Sequence, residues 1–270
     1  MKTEKWQSSD GRVTLYLGDS LYALQEIESE TIDAIVTDPP YSSGGQFRGD
    51  RTASTVSKYV QSSASTSQTR AEFSGDNRDQ RSFLAWCSLW MAGAFHAARP
   101  GAVFCSFIDW RQIPILTDAI QAGGWTWRNL CTWWKPGCRM QKGRFSSSAE
   151  YLVYATKGAH SGDGESSPQN VIQCQTLSGE KKVHIAEKPE PVVSWALSAT
   201  RPLGVVLDPF MGSGSTGVVA LLTGRSFVGI EIDRHHFELA KKRIMAAHNN
   251  RMRTSLMDLI QPTEPACSPA

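Results

Sequence analysis

The stretch VVLDPFMGSGSTG, residues 205–217, decides the fold of this 270-residue chain. Val205–Leu207 is apolar and β-branched, which predicts a short buried strand. The glycines that follow permit a tight turn, and Thr216–Leu222 then has the composition of a helix. A second apolar run, Phe227–Ile230, predicts the next strand. This strand–turn–helix–strand unit predicts an α/β fold, a mainly parallel sheet with helices on both faces.

The glycines of this stretch also predict a ligand site. Gly212, Gly214 and Gly217 form the pattern G-x-G-x-x-G, and Glu231 follows Gly212 by 19 residues. Between a strand and a helix, such glycines let the backbone approach a ligand, and an acid at the next strand end accepts hydrogen bonds from ribose hydroxyls. The pattern in this context predicts an adenosine-bearing cofactor without saying which one.

Two features disfavour a nicotinamide dinucleotide and therefore a dehydrogenase. Only about 37 residues follow Asp233, so the remaining strands of the sheet must come from the N-terminal half. Asp208 places a carboxylate at the strand end, where it would repel a pyrophosphate and attract an ammonium group. S-adenosylmethionine carries adenine, ribose and an ammonium group but no phosphate, so the charge pattern favours it.

A second stretch, IDAIVTDPPYSSGG at residues 32–45, ends another predicted strand, Ile32–Thr37. Neither Pro39 nor Pro40 can donate a ladder hydrogen bond, so the strand must stop there. Asp38 then lies at one strand end and Asp208 at another. In open α/β sheets, ligands bind beyond the carboxyl ends of the strands, where the strand order reverses.

The remaining elements follow from periodicity and from Gly and Pro breaks. Strands are predicted at Val13–Leu17, Ala102–Ile108, Asn129–Trp134 and Tyr151–Thr156, and helices at Leu21–Ile27, Phe83–Ala98, Ile113–Ala122, Pro191–Ser198 and His236–Ala247. Gly158–Glu180 is polar and predicted to be irregular. We expect a single domain over residues 1–248 and a polar tail over residues 249–270.

Charge is distributed unevenly in this nearly neutral chain, whose formal net charge is +2. The segment from Thr126 to Gly158 contains six Lys or Arg and one acid, Glu150. The Ser- and Thr-rich Ser42–Arg70 holds four Lys or Arg against Asp50, and it is too polar to pack a core. Two basic segments therefore indicate a polyanionic partner.

Other classes of protein are disfavoured. The N-terminus is polar, unlike a signal peptide, and no apolar run reaches the length of a membrane span. The six cysteines form no C-x-x-C pair, so we expect neither a metal site nor a disulfide framework. A reducing, cytoplasmic location is expected, in a bacterium or encoded by a phage, with the protein at the nucleoid when it acts.

The order of the two motifs, D-P-P-Y first and D-P-F-x-G-x-G second, resembles the β-group amino-methyltransferases of DNA. In that family the catalytic half of a Rossmann-like domain precedes the cofactor half. The match extends over about Leu15–Ile244. Further segments in the family's order are Gly18–Ser20, Trp134-Lys135, Glu150–Tyr154, His184–Pro189 and Glu231–Asp233.

The resemblance implies a methyl transfer from S-adenosylmethionine to the exocyclic N6 of a flipped adenine in double-stranded DNA. The Asp38 carboxylate and the Pro39 carbonyl would accept the two amine N–H bonds, Pro40 would stiffen the turn, and Tyr41 would stack on the base. The residues expected to bind the cofactor are Asp19, Asp38, Lys188, Asp208, Phe210, Gly212, Ser213, Gly214, Thr216, Glu231 and Asp233.

DNA is expected to meet a polar loop over residues 42–80 and a short target-recognition region over about 135–183. The residues predicted to contact DNA are Arg48, Arg51, Lys58, Arg70, Lys135, Arg139, Lys142 and Arg144. Because the target-recognition region is short, a homodimer is expected, with one subunit holding the flanking duplex. A stand-alone enzyme is favoured, although a restriction partner is compatible with the sequence.

Several alternatives stay open at this point. Cytosine-N4 methylation is the main one, although Asp at position 38 favours adenine in this family. Methylation of RNA or of a protein amide would favour Asn there, and an inactive binding protein would not need Asp38, Tyr41 and Gly212 intact. Asp19 could instead be a helix N-terminal acid, Lys188 a solvated surface lysine, and the tryptophans of residues 125–134 core residues.

Overall fold

A computed structural model describes residues 3–41, 78–137, 142–143, 145–164, 166–176 and 188–260, and the side chains as far as 251. Its described residues form one nine-stranded sheet in the order β1-β2-β9-β8-β3-β4-β6-β5-β7. The strands are β1 Glu4–Gln7, β2 Val13–Leu17, β3 Ile32–Thr37, β4 Ala98–Ile108, β5 Thr126–Trp134, β6 Ala149–Thr156, β7 Val171–Gln173, β8 Val205–Asp208 and β9 Ser226–Glu231.

Strand direction gives the sheet a parallel centre. Neighbouring strands are parallel throughout the series β2, β9, β8, β3 and β4. Strand β1 is antiparallel to β2, and β6 is antiparallel to both β4 and β5. At the far edge, β5 and β7 are parallel. From β3 the chain proceeds to β4 on one side, and from β8 it proceeds to β9 on the other. The strand order therefore reverses between β3 and β8, and the crevice expected at such a point opens beyond their carboxyl ends.

Six α-helices cover the two faces of the described sheet. They are α1 Ser20–Ala23, α2 Gln80–Ala97, α3 Ile113–Ala122, α4 Glu190–Ser198, α5 Ser215–Leu222 and α6 Arg234–Ile260. Helices α1 to α3 contribute to one buried core, and α4 to α6 contribute to the other. Strand β3 contributes to both, since Ile32 and Ile35 face the first core while Ala34 and Val36 face the second, with a register shift between Ile32 and Ala34. A central strand buried on both faces explains the continuous apolar run.

The α/β class and the parallel centre predicted from sequence are confirmed, and the differences are two further edge strands and several element ends. Strands β1 and β7 were not predicted, because segments of four and three residues are too short to show a hydrophobic period. The helix predicted at Leu21–Ile27 is a single α turn followed by a 3₁₀ turn, Leu24–Glu26. The last helix continues to Ile260, beyond the predicted end at Ala247 and into the segment expected to be a tail.

Candidate active site

The two strand-end acids of the sequence lie at the reversal point of the sheet. Strands β3 and β8 pair at Ala34↔Val206 and Ile35↔Leu207. Two residues after Ile35, the Thr37 hydroxyl donates to Oδ1 of Asp208, the residue after Leu207, at 2.7 Å. The prediction that residues 38 and 208 share one crevice is therefore met by the sheet register, which places Asp38 directly after the bonded Thr37.

Asp208 is buried in the wall of this crevice, with 3% of its surface exposed. Its carboxylate accepts from Thr37, from the Phe210 amide at 3.0 Å and from the Thr216 hydroxyl. Burial nevertheless raises the pKa of Asp208 to about 6, because these hydrogen bonds offset only part of the desolvation and the nearby Asp38 charge adds to it. Asp208 thus fixes the loop from beneath and places a carboxyl group with a raised pKa at the crevice.

The first glycine of the loop leaves space at its surface. Gly212 has φ +49°, a conformation that side chains rarely adopt, and a Cβ built on it would meet nothing within 4 Å. Its amide donates to Glu231 Oε2 at 2.9 Å, and the Asp233 amide donates to Glu231 Oε1 at 2.9 Å. The acid at the end of β9 is thus held against the glycine loop by the backbone.

Burial raises the pKa of Glu231 to about 7, against the lowering effect of these amides and with the Asp233 charge as a further raising cause. A carboxylate in this environment gains from partners that donate to its charged form. Vicinal ribose hydroxyls are partners of that kind.

The other two glycines serve packing. Gly214 has φ +83°, and its missing Cβ faces Ala240 of α6 at 3.0 Å rather than the crevice. A Cβ at Gly217 would approach Phe227 and Ile244 to 2.7 Å. Gly214 was expected to bind the cofactor. The direction in which a Cβ would point shows that the absence of a side chain here permits the close contact of α5 with α6. Only Gly212 leaves open space above the loop.

The residues around the loop fit S-adenosylmethionine, since Gly212 leaves a cradle that a side chain would fill and the acids lie beside it. Phe210 packs edge-on to Trp90 and beside Trp86, with ring centroids 5.1 Å apart in each pair. Arg243 donates to the Ser213 carbonyl at 2.8 Å and fixes the loop from α6. Asp19 caps α1 by accepting from the Leu21 amide at 2.9 Å, which is the helix N-terminal role left open from sequence.

Asp38 lies beside a cation that the sequence analysis assigned to the cofactor. Lys188 Nζ donates to Asp38 Oδ2 at 2.5 Å and lies 3.4 Å from Glu150 Oε2. Only 8% of Lys188 is exposed, so it is not a solvated surface lysine. Its ammonium lies 5.9 Å from the centre of the Tyr41 ring. The D-P-P-Y motif and Lys188, just before α4, are thus brought together.

Glu150 is a site residue that sequence reasoning did not select. It is the second residue of β6, after Ala149, and its other carboxylate oxygen accepts from Lys135 Nζ at 2.9 Å. The signal was present, because Glu150 is the one acid of an otherwise basic segment. Lys135 was predicted to contact phosphates, and the structure places it in this ion pair with 17% of its side chain exposed.

The structure describes few of the residues predicted to bind DNA. Arg48, Arg51, Lys58, Arg70, Arg139 and Arg144 lie outside the described residues, and Lys142 is exposed. Of the tryptophans in this region, Trp125 and Trp133 are buried, as the core alternative required, whereas Trp127 and Trp134 are more than 40% exposed. Within the described ranges no cluster of three or more His, Cys, Asp or Glu could hold a metal, and no helix is long and apolar enough to cross a membrane.

Comparison with known proteins agrees with this geometry. Residues 32–242 match the sequence model of the N6/N4 family described as DNA methylase. The chain is 26% identical over 264 residues to the Type II methyltransferase M2.LlaDCHI of Lactococcus lactis subsp. cremoris, covering 90% of this chain and 93% of that protein. It is 28% identical over 277 residues to the Type II methyltransferase M.HinfI of Haemophilus influenzae, covering 91% and 72%.

Solved structures share the fold. The M1.HpyAVI–SAM complex superposes with a TM-score of 0.60 at 23% identity, covering 86% of this chain and 98% of that one. The cytosine-N4-specific PvuII DNA methyltransferase superposes with a TM-score of 0.64 at 17% identity, covering 89% and 93%.

Proposed function

Because the chain belongs to the N6/N4 DNA methylase family, the β-group amino-methyltransferases, we propose that it methylates the exocyclic N6 of adenine in double-stranded DNA. S-adenosylmethionine is its cofactor, and transfer of a methyl group to a DNA amine is its reaction. The proposal concerns the base and the roles of the residues. The observation that carries it is the Asp38 carboxylate, placed at the reversal point of the sheet and directly followed by two prolines.

An exocyclic amine of a base is a poor nucleophile, because its lone pair is delocalised into the ring. Two acceptors directed at its N–H bonds orient the amine and localise that lone pair. We assign these acceptors to the Asp38 carboxylate and the Pro39 carbonyl. Pro40 restricts the backbone that carries them, since its φ is fixed. The chain thus supplies a rigid acceptor pair without a metal ion or a covalent intermediate.

The base reaches these acceptors only outside the helix, because its amine is inaccessible within the stacked duplex. Tyr41 follows the proline pair and is half-buried against the first core. We assign it a stacking contact with the extruded base, worth roughly 1–3 kcal/mol.

The cofactor supplies an electrophilic sulfonium methyl group, so the protein needs only to place the amine in line with it. Glu231 would accept from the ribose hydroxyls, the open face of Gly212 would admit the methionine end, and Asp208 would attract the ammonium. Phe210, Ser213, Thr216 and Asp233 line the same loop and strand ends, and Asp19 has its second carboxylate oxygen for the adenine amine.

Adenine is favoured over cytosine by the residue at position 38. In the family that the chain resembles, Asp at the first position of this motif accompanies adenine and Ser is commoner with cytosine-N4. Cytosine-N4 methylation is the second candidate, since the family covers both bases and a cytosine-N4-specific enzyme shares the fold.

Product analysis tests the proposal. The chain and its Asp38→Ala variant would be expressed in a bacterial host that lacks DNA methyltransferases. DNA from each culture would be digested to nucleosides and separated by mass spectrometry. We expect N6-methyldeoxyadenosine with the native chain and none with the variant, whose purified form still binds S-adenosylmethionine measurably. N4-methyldeoxycytidine as the product would refute the adenine assignment, and near-normal methylation by Asp38→Ala would refute the role of Asp38.

A further inference from the structure

Four charged side chains of alternating sign form a continuous chain behind the D-P-P-Y motif. Lys135 contacts Glu150 at 2.9 Å, Glu150 contacts Lys188 at 3.4 Å, and Lys188 contacts Asp38 at 2.5 Å. Exposure falls from 17% and 23% for the first pair to 8% for Lys188. Asp38, at the crevice end of the chain, is 22% exposed. This row of four charges therefore leads from the outer strands to Asp38, the proposed catalytic acid.

Lys188 is the most buried of the four charged residues, and its ammonium lies near two aromatic rings. Its ammonium lies 5.3 Å from the centre of the Phe107 ring and 5.9 Å from that of Tyr41. Burial alone would lower the pKa of Lys188, but Asp38, Tyr41 and Glu150 raise it well above its usual value. Lys188 therefore stays charged in a place where a charge is costly unless it is paired.

Glu150 and Lys135 complete the pairing from the neighbouring strands. Glu150 pairs with Trp133 in the β5–β6 ladder, so the hairpin fixes its position relative to Lys135. Burial would raise the pKa of Glu150, but Lys188 and Lys135 hold it below its usual value. Glu150 thus pairs with both lysines, and its position on β6 determines where the Lys188 ammonium can lie.

We propose that Lys188, held by Glu150 and Lys135, is a positioning residue that fixes the Asp38 carboxylate as an anionic hydrogen-bond acceptor, and that it does not contact the cofactor. This inference rests on the proposed function, because it assigns Asp38 to the amine. An adjacent ammonium stabilises the carboxylate form and weakens its basicity. Asp38 accordingly orients the amine, and the proton of the methylated amine leaves to solvent.

A pH dependence follows from the charges around Asp38. These are Lys188 and Lys135, the carboxyl groups of Glu150 and Asp208, and the Tyr41 phenol. Removing the Lys188 charge leaves Asp38 among acids, so it binds a proton more readily. Loss of activity on acidification should then begin at a higher pH in a Lys188→Met variant than in the native enzyme. A purely structural role for Lys188 would lower activity equally at every pH.

The experiment compares Lys188→Met, Lys188→Arg and Glu150→Gln with the native chain. Methyl transfer to unmethylated plasmid DNA is measured from pH 5 to 9, and affinity for S-adenosylmethionine is measured by calorimetry. Lys157→Met is the matched control, because Lys157 is a half-buried lysine that directly follows β6, at the opposite end from Glu150, and its ammonium contacts the Phe95 and Ala98 carbonyls. It reports the cost of losing a paired, half-buried lysine away from the site.

We expect Lys188→Met to lower kcat roughly 100-fold at neutral pH, as misplacement of a catalytic group does. The acid limb of its pH–activity profile should shift to higher pH. Lys188→Arg should restore part of kcat, Glu150→Gln should give a smaller loss, and Lys157→Met should match the native profile. Affinity for S-adenosylmethionine should change less than twofold in Lys188→Met. A tenfold loss of that affinity, or an unshifted acid limb, would overturn the inference. Methylation of cytosine by the native chain would overturn the adenine assignment alone, because the variants are compared with whichever product the native chain makes.

Discussion

At the scale of single residues, the site works with carboxyl groups in three different environments. Asp38 is paired with a buried ammonium, Asp208 is enclosed by hydroxyl and amide donors, and Glu231 is held by two backbone amides. Desolvation raises the pKa values of Asp208 and Glu231 to about 6 and about 7. The three carboxyl groups at these strand ends therefore differ in electrostatic environment, although their chemistry is the same.

Glu231 gives a pH-dependent prediction. Its pKa is raised in the folded state, so it stabilises the ligand-free protein at low pH. That stabilisation is lost as the pH rises from about 4.5 through about 7. The loss is on the order of 3 kcal/mol, because the pKa rises from 4.5 to about 7 and one pKa unit corresponds to about 1.4 kcal/mol. Ribose hydroxyls donate to the carboxylate form, so affinity for S-adenosylmethionine should rise over the same interval.

The measurement compares the native chain with Glu231→Gln at pH 6, 7 and 8, by calorimetry and by thermal unfolding. Titration of the cofactor's own groups is common to both proteins and cancels in the difference. The ratio of native to variant affinity should increase with pH, and the Tm of the ligand-free native chain should fall relative to that of the variant. Parallel pH curves for the two proteins would contradict the assignment.

At the scale of elements, one loop combines two requirements that the pattern G-x-G-x-x-G does not separate. Gly212 lies at the open surface between β8 and α5, whereas Gly217 lies within α5 against β9 and α6. Sequence spacing places both in one motif. Their surroundings show that the first leaves room above the loop and that the last lets three elements approach each other.

Substitution of these two glycines by Val should therefore have different effects. Gly212→Val adds a side chain in the open space and should reduce affinity for S-adenosylmethionine at least tenfold, with about 1–2 kcal/mol of destabilisation from its positive φ. Gly217→Val must displace Phe227 or Ile244 and should cost about 1–3 kcal/mol of stability. Calorimetry below the transition temperature should show near-native affinity for the folded Gly217→Val protein.

Thermal unfolding of both variants provides the control for folding. Unchanged cofactor affinity in Gly212→Val would remove this glycine from the binding site. A selective loss of affinity in Gly217→Val, without loss of Tm, would contradict its assignment to packing.

At the scale of the whole molecule, the D-P-P-Y motif and the glycine loop lie together beyond the carboxyl ends of the central strands β3 and β8. Residues 42–77, which follow the catalytic motif directly, lie outside the described residues. The polar DNA-facing loop over residues 42–80, the target-recognition region over about 135–183 and the homodimer stay predictions from sequence. The basic residues of the loop over residues 42–80 allow a direct test of its predicted contact with DNA.

Neutralising the basic residues of this segment should weaken DNA binding and reduce its salt dependence. Each phosphate contact contributes roughly 0.9 to the slope of log affinity against log salt, so the loss of all contacts would lower the slope by up to about 4. The residues to be replaced by Gln are Arg48, Arg51, Lys58 and Arg70. Cofactor affinity should not change, because these residues are assigned to DNA alone.

Fluorescence anisotropy with a labelled duplex at several salt concentrations measures the slope. Lys5→Gln and Lys242→Gln, two exposed lysines of β1 and α6, form the control for net charge and remove two charges where the test variant removes four. An unchanged slope in the test variant, or the same decrease per charge in the control, would remove the segment from the DNA interface.

The sequence by itself determined the features that depend on local order along the chain. The two strand–loop units around Asp38 and Asp208, the α/β class, the permuted order and the G-x-G-x-x-G…Glu231 spacing were all readable, because periodicity and Gly or Pro breaks act over a few residues. Even the common crevice of the two acids followed, since parallel strands bring their carboxyl ends to one edge.

Only the tertiary structure decided which charged residues meet. Lys188 is 150 residues from Asp38 and Glu150 is 38 from Lys188, and no local pattern encodes the packing of β6 and of the segment before α4 against the end of β3. The separate tasks of Gly212 and Gly217 likewise depend on distant residues, since Ile244 and Phe227 crowd Gly217 and no described residue crowds Gly212. Side-chain pairing and close packing are set by the fold as a whole, because each contact needs two elements in register.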